Sequence, residues 1–105
     1  MNPLYAVTLT ADILAAQAEI AQINTPAAGV YLQQLLEEYA AADFVIMRSP
    51  CCDPRPFCIS LNDLIEAENE IECEYCEQLC DRLLADGTWQ TAAERQQENM
   101  RKVMR

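Results

Sequence analysis

Six cysteines are the side chains best equipped for chemistry in this 105-residue chain. They fall into two groups: Cys51, Cys52 and Cys58, then Cys73, Cys76 and Cys80. Thiolates hold zinc or iron–sulfur clusters, pair as disulfides, or attack electrophiles. Histidine is absent, so neither a Ser-His or Cys-His nucleophile pair nor an imidazole metal site can be assembled. Carboxylates are plentiful, but no apolar pocket is evident that would tune one of them as an acid. There is no glycine-rich phosphate loop and no Glu-x-x-His motif for a carboxylate di-metal site. No catalytic set emerges, and the chain reads as a non-enzyme.

Helical signals dominate the segments that must position the thiols. Ile13, Ala16, Ile20 and Ile23 recur at helical spacing after Thr10, predicting a helix near 11–23. Thr25-Pro26 restarts a helix, with Thr as N-cap and Pro where its missing N–H is harmless. Leu32, Leu35, Leu36 and Tyr39 then line one face to about residue 42. With only Asn24 and Thr25 between them, the two helices should form a tight antiparallel hairpin. Residues 43–59 read as a stiff extended loop, rich in proline and cysteine after the apolar run Phe44–Met47. Ser60-Leu-Asn-Asp63 is a capping-box pattern with Asp for Glu, and neither Gly nor Pro follows until Gly87. That predicts a third helix over 61–85 closed by Gly87, and a fourth over 89–103, capped by Thr88, with Trp89, Ala93, Met100 and Val103 on one stripe. Residues 66–75 also alternate Glu with Ala, Asn, Ile, Cys and Tyr, which is a strand pattern. The helix propensity of Glu and the uninterrupted length favour helix. The expected fold is all-α, a single domain over 1–105: two antiparallel helical hairpins joined by the Pro/Cys loop in a four-helix arrangement.

On such a third helix, Cys73, Cys76 and Cys80 occupy i, i+3 and i+7, one stripe between an apolar face and an acidic one. Eight residues separate Cys52 from the helix start, a reach of up to about 26 Å. Cys73 stands about 18 Å along the helix and Cys80 nearly 29 Å, so Cys51 or Cys52 reaches Cys73 or Cys76. Cys58 is too close to the helix start to do so. It must pair within the loop, stay free or find another chain. Three readings follow. Disulfide staples suit the even cysteine count and the small core, although buried cysteine is also a common small hydrophobe. A four-thiolate zinc or iron–sulfur site would use Cys51, Cys52, Cys73 and Cys76, although the surrounding glutamates disfavour a dianionic thiolate site and no second CxxC supports it. One zinc cannot span all three helical cysteines, because Cys73 and Cys80 would lie about 10 Å apart along the axis. Thiol redox catalysis is disfavoured, since Cys73-x-x-Cys76 sits in mid-helix among Glu72, Glu74 and Glu77 with no βαβ pattern.

The formal net charge is −10, which argues against nucleic acid or an anionic membrane as partner. No run of about 18 apolar residues suggests a bilayer span, and Met1–Ala6 lacks a secretory signal pattern. Synthesis in the cytoplasm is expected. Glu66, Glu70, Glu74, Glu77 and Asp81 would form an acidic ridge on the third helix, either a solvated face or a docking surface for a basic partner. Residues 95–105 hold one acid and four bases, Arg95, Arg101, Lys102 and Arg105, which would face outward to meet the ridge of another copy or another acidic protein.

The leading expectation is a non-enzymatic structural protein held in a larger assembly by disulfide staples and opposite-charge faces, a virus or phage particle component being the natural instance. Its partners would be other protein subunits, copies of itself included, with no cofactor. The alternatives are a small zinc- or iron–sulfur-binding accessory protein, and an acidic inhibitor that mimics nucleic acid. The bonding scheme and the assembly role both depend on a continuous rod from Leu61 that presents three sulfurs along one edge.

Overall fold

The computed structural model describes residues 2–49, 55–67, 71–73, 78–91 and 93–94. The first helix, α1 (Pro3–Gln22), begins eight residues before the sequence reading places it. Asn2 caps it, its Oδ1 accepting from the N–H groups of Leu4 and Tyr5 at 3.1 and 3.3 Å. Thr8 and Thr10 do not interrupt the helix. Their hydroxyls donate to the carbonyls of Leu4 (2.8 Å) and Ala6 (2.7 Å), one turn back. Helix α2 (Pro26–Ala40) starts as predicted, with Thr25 Oγ1 accepting from the Ala28 N–H at 3.2 Å. The two run antiparallel: Tyr5, near the start of α1, donates its hydroxyl to Glu38 near the end of α2 (3.1 Å).

Beyond residue 43 the all-α expectation fails. The described residues hold a four-stranded antiparallel sheet in the order β2-β1-β3-β4, built from β1 (Phe44–Arg48), β2 (Phe57–Ser60), β3 (Asp81–Leu83) and β4 (Trp89–Gln90). The fold is therefore α+β. The predicted loop over 43–59 supplies two strands. A strand buried on both faces shows no alternation, only an unbroken apolar run, and Phe44, Val45, Ile46 and Met47 are all buried.

The predicted third helix survives only as α3 (Leu61–Glu66), where Ser60 Oγ accepts from the Asp63 N–H at 3.2 Å as the cap pattern indicated. Further on, residues 71–73 and 78–83 are extended. Glu72 and Leu79 form an antiparallel bridge, flanked by the hydrogen bonds Cys73 N–H to Gln78 C=O and Cys80 N–H to Ile71 C=O, both 2.7 Å. The alternation of period two thus prevails over glutamate's preference for helix. That preference is a few tenths of a kcal/mol per residue, less than the gain from laying one apolar face across β1.

The predicted fourth helix is overturned at its start. Trp89 and Gln90 pair with Leu83 and Arg82 across a hairpin. Gly87 turns that hairpin at φ +89° instead of ending a helix. Thr88 does not cap a helix either; its N–H and hydroxyl both donate to Asp86 Oδ1, at 2.9 and 2.6 Å. A helical turn includes Ala93 and Glu94, with the Glu94 N–H donating to Thr91 Oγ1 (3.3 Å). Met100 and Val103 lie outside the described residues.

Two apolar layers flank the sheet. Phe44 and Ile46 of β1 point to α1 and α2 and pack with Leu9, Ile13, Leu36, Tyr39 and Leu83. Val45 and Met47 point the other way, to Leu64, Cys73 and Cys80. Tyr39 joins helix to sheet. Its hydroxyl accepts from the Ile46 N–H (3.0 Å) and donates to the Leu83 C=O (2.6 Å). Since β1 and β3 pair at Met47–Arg82 and Arg48–Asp81, the phenol occupies the next rung and satisfies both groups there. Burial pushes the Tyr39 hydroxyl pKa above its usual value. Helix α1, 20 residues with mean hydropathy 1.2, meets the requirement for crossing a membrane by length and composition alone. In this fold its Ala6, Leu9, Thr10, Ile13 and Ala16 are buried.

Candidate functional site: thiols on the second face of the sheet

The sheet separates the described thiols. Cys58 pairs with Ile46 and so faces the helices, its sulfur 3.0 Å from Thr10 Oγ1 and donating to the Ala6 carbonyl at 3.5 Å. It forms part of the floor of a cleft of about 470 Å³ walled by Val7, Ala11 and Leu14 of α1 and by Phe57. Cys73 and Cys80 lie in the layer beyond the sheet, both buried. None of the three is in a disulfide. Cys58 therefore cannot join the other two without crossing a packed strand.

Cys73 and Cys80 belong to one ladder. Glu72 opposite Leu79 sets Cys73 opposite Gln78 and Cys80 opposite Ile71. Side chains alternate along each strand, so Ile71, Cys73, Gln78 and Cys80 share one face, with the two thiols as diagonal neighbours about 7–8 Å apart. This replaces the single edge of a helix expected from the sequence, on which the two would stand about 10 Å apart. Ser49, buried at the end of β1, donates its hydroxyl to Cys73 Sγ at 3.1 Å. Ser49 precedes Cys51 by two residues and Cys52 by three in the sequence. Cys51, Cys52 and Cys76 lie outside the described residues, and among the described residues no group of three or more potential ligands is gathered.

Arg82 adds charge on this side. It pairs with Met47 and Gln90, so its side chain leaves the sheet toward the layer of Met47 and Cys80. Its Nε is buried and has no hydrogen-bond partner among the described residues.

The continuous helix on which the acidic ridge was expected is not present, since residues 71–73 and 78–83 are extended. Glu66 is exposed at the end of α3. Asp81 is buried in β3, with Oδ2 held by Arg48 Nε at 3.3 Å, and the Arg48 guanidinium stacks 4.2 Å from the Trp89 ring centre. Glu70, Glu74, Glu77, Arg95, Arg101, Lys102 and Arg105 lie outside the described residues. Sequence reasoning missed Ser49, Arg82 and Tyr39, whose roles arise only once β1 and β3 pair. The available signal was the Phe44–Met47 run, read as loop when it is a doubly buried strand. Compared with protein-family models, curated proteins and solved structures, the chain matches none.

Proposed function

We propose that this chain is a small, non-enzymatic accessory protein that binds a thiophilic metal ion, zinc foremost, on the second face of its sheet. One observation carries the reading: Cys73 and Cys80 share a buried face of a single antiparallel pair, beside the serine that leads to Cys51 and Cys52. The separation along a helix, which kept Cys80 out of a common site, no longer applies. The other thiols are tethered close by. Cys76 is two residues from Gln78, the partner of Cys73, and Cys51 and Cys52 are two and three residues from Ser49. Such tethers reach about 7–10 Å, enough to bring sulfurs to the 2.3 Å zinc–sulfur distance around one ion. A zinc with no open position, held by four thiolates, stabilises folding and performs no chemistry, which agrees with the missing catalytic set.

Purification under reducing conditions, elemental analysis and cobalt substitution test the reading. About one zinc per chain is expected, lost in the double substitution Cys73→Ser/Cys80→Ser. Cobalt should give the intense absorption of a thiolate tetrahedron. Metal-free protein whose fold is indifferent to chelator would sink the proposal.

The assembly reading keeps one separate support. Leu4 and Val7 are 77% and 64% exposed on α1, and Phe57 is 39% exposed on the edge strand β2 beside the cleft. Apolar side chains contiguous across two elements suit contact with another protein. Sedimentation of Val7→Asp against the unaltered chain tests it: only the latter should associate. A staple between Cys58 and the Cys73–Cys80 layer is not proposed, since the sheet divides them.

A further inference from the structure

We infer that the exposed face of α1 is the contact by which two copies of this chain pair, antiparallel about a twofold axis at Ala11. The inference rests on the assembly reading above and gives it a partner, a register and a symmetry. Leu4, Val7, Ala11, Ala15 and Ala18 are all exposed, Leu4 and Val7 by 77% and 64%. At about 100° per residue, the other four lie within about 40° of Ala11 around the helix axis. The acids of α1, Asp12 and Glu19, stand about 80–100° from Ala11 on one flank, and α1 carries no other charge. The exposed face of α2 differs, since it holds Gln33, Gln34, Glu37 and Glu38. In a chain of formal charge −10, copies repel wherever their acids meet. An uncharged face about 30 Å long is where two of them can approach.

The order of side chains along that face selects a second copy as its occupant. Large residues stand at the start of the face and small ones at its end. When two such helices lie antiparallel with Ala11 against Ala11, Leu4 meets Ala18 of the second copy and Val7 meets Ala15 of the second copy. Each large side chain then faces a small one at both ends, and the contact is self-complementary, as a twofold dimer requires. Alanine at the crossing lets the axes approach to about 8 Å, the close end of helix packing. A face of about 30 by 10 Å on each copy is short of the roughly 800 Å² per partner of a standard interface. Neighbouring walls must contribute. The cleft walled by Val7, Ala11 and Leu14 lies along the same helix, with Pro56 and Phe57 across it, and Phe57 is half-exposed. A contact of this size gives a reversible dimer.

Sedimentation of the full chain in reductant reads the dimer, and introduced cysteines read its register. The unaltered chain should pass from monomer to dimer as its concentration rises through the micromolar range. Ala11→Asp sets two carboxylates against each other at the axis and should weaken the dimer about tenfold or more. Val30→Asp, at an exposed site on α2, should not. After mild oxidation, Ala11→Cys should give a covalent dimer through the introduced thiol, located by peptide mass mapping. Facing positions at such a crossing come within the roughly 4.4–6.8 Å that a disulfide spans between Cα atoms. Ala18→Cys should give none, since its two positions lie about 21 Å apart along the antiparallel pair. Linkage from Ala18→Cys as ready as from Ala11→Cys would overturn the antiparallel register. No linkage from Ala11→Cys, in a chain whose dimer Ala11→Asp abolishes, overturns the axis at Ala11 and leaves the apolar contact standing. A dimer that Ala11→Asp leaves intact overturns the use of this face. An unaltered chain that stays monomeric overturns both readings, and its binding to phosphatidylcholine vesicles would assign the face to lipid. If Ala11→Asp fails to fold by circular dichroism, Ala11→Lys, which keeps helix propensity, takes its place.

Discussion

The two faces of one sheet are held by different means. On the helix side, the buried residues of two long capped helices meet Phe44, Ile46 and Leu83, and the Tyr39 phenol satisfies two backbone groups between β1 and β3. On the other side, among the described residues, Val45 and Met47 pack with Leu64 of the short α3 and with Ile71, Cys73 and Cys80 of the bridged pair, and the Nε of Arg82 has no hydrogen-bond partner there. The two faces share β1 as a common wall, one packed on the long helices and the other carrying the described thiols Cys73 and Cys80.

The sharpest way to break the comparison is Phe44→Ala. Phe44 packs edge-on against Tyr5 and tilted against Tyr39, with ring centres 6.2 and 6.0 Å apart. Truncation should cost about 3–5 kcal/mol, read as a fall in the urea midpoint of the same size with or without chelator. A chelator-dependent cost would mean that the two faces are not independent.

A smaller loss is expected from Tyr39→Phe, about 1–3 kcal/mol, because the Ile46 N–H and Leu83 C=O are left buried without their bridge. The phenol also sets a pH limit. Its folded pKa is raised by burial, so the native state keeps the proton that the unfolded chain releases above about pH 10. Bound protons then favour the native state, and stability falls as pH rises above 10. Denaturation midpoints between pH 9 and 11 should show a component of that fall that disappears in Tyr39→Phe.

The smallest effect belongs to the second face. Ser49→Ala removes the hydroxyl that donates to Cys73 Sγ, and should cost about 0.5–1.5 kcal/mol in the metal-free chain. If the thiol site binds zinc, the loss should grow when zinc is present, since a hydrogen bond to a charged sulfur is stronger. Equal costs in zinc and in chelator would detach Ser49 from the site.

Legibility in the sequence followed the range of the interactions. The cap at Thr25 and the cap at Ser60 were both readable, because each is decided within three residues. Asn2 was overlooked because Thr10 offered a competing start, although its hydroxyl is spent on the Ala6 carbonyl. Cys58 was kept from Cys73 on grounds of tether length along a helix that does not form; in the structure Cys58 packs on the helix side of β1 and Cys73 on the other. The pairing of Cys73 and Cys80 on one face was hidden, since it depends on Glu72 meeting Leu79, a contact between weakly biased segments.

By itself, then, the amino-acid order determined what local hydrogen bonds and 3.6-residue periodicity can settle: a helical hairpin bent at Asn24-Thr25 and a short capped turn after Ser60. Tertiary structure alone decided the state of residues 71–73 and 78–90. Their helix and strand preferences differ by less than about 1 kcal/mol per residue. The side of β1 opposite the helices offers Val45 and Met47 for cover, and burying them is worth more than the propensity lost. The same step placed two thiols, a serine and an arginine on one face, a grouping that no spacing along the chain expresses.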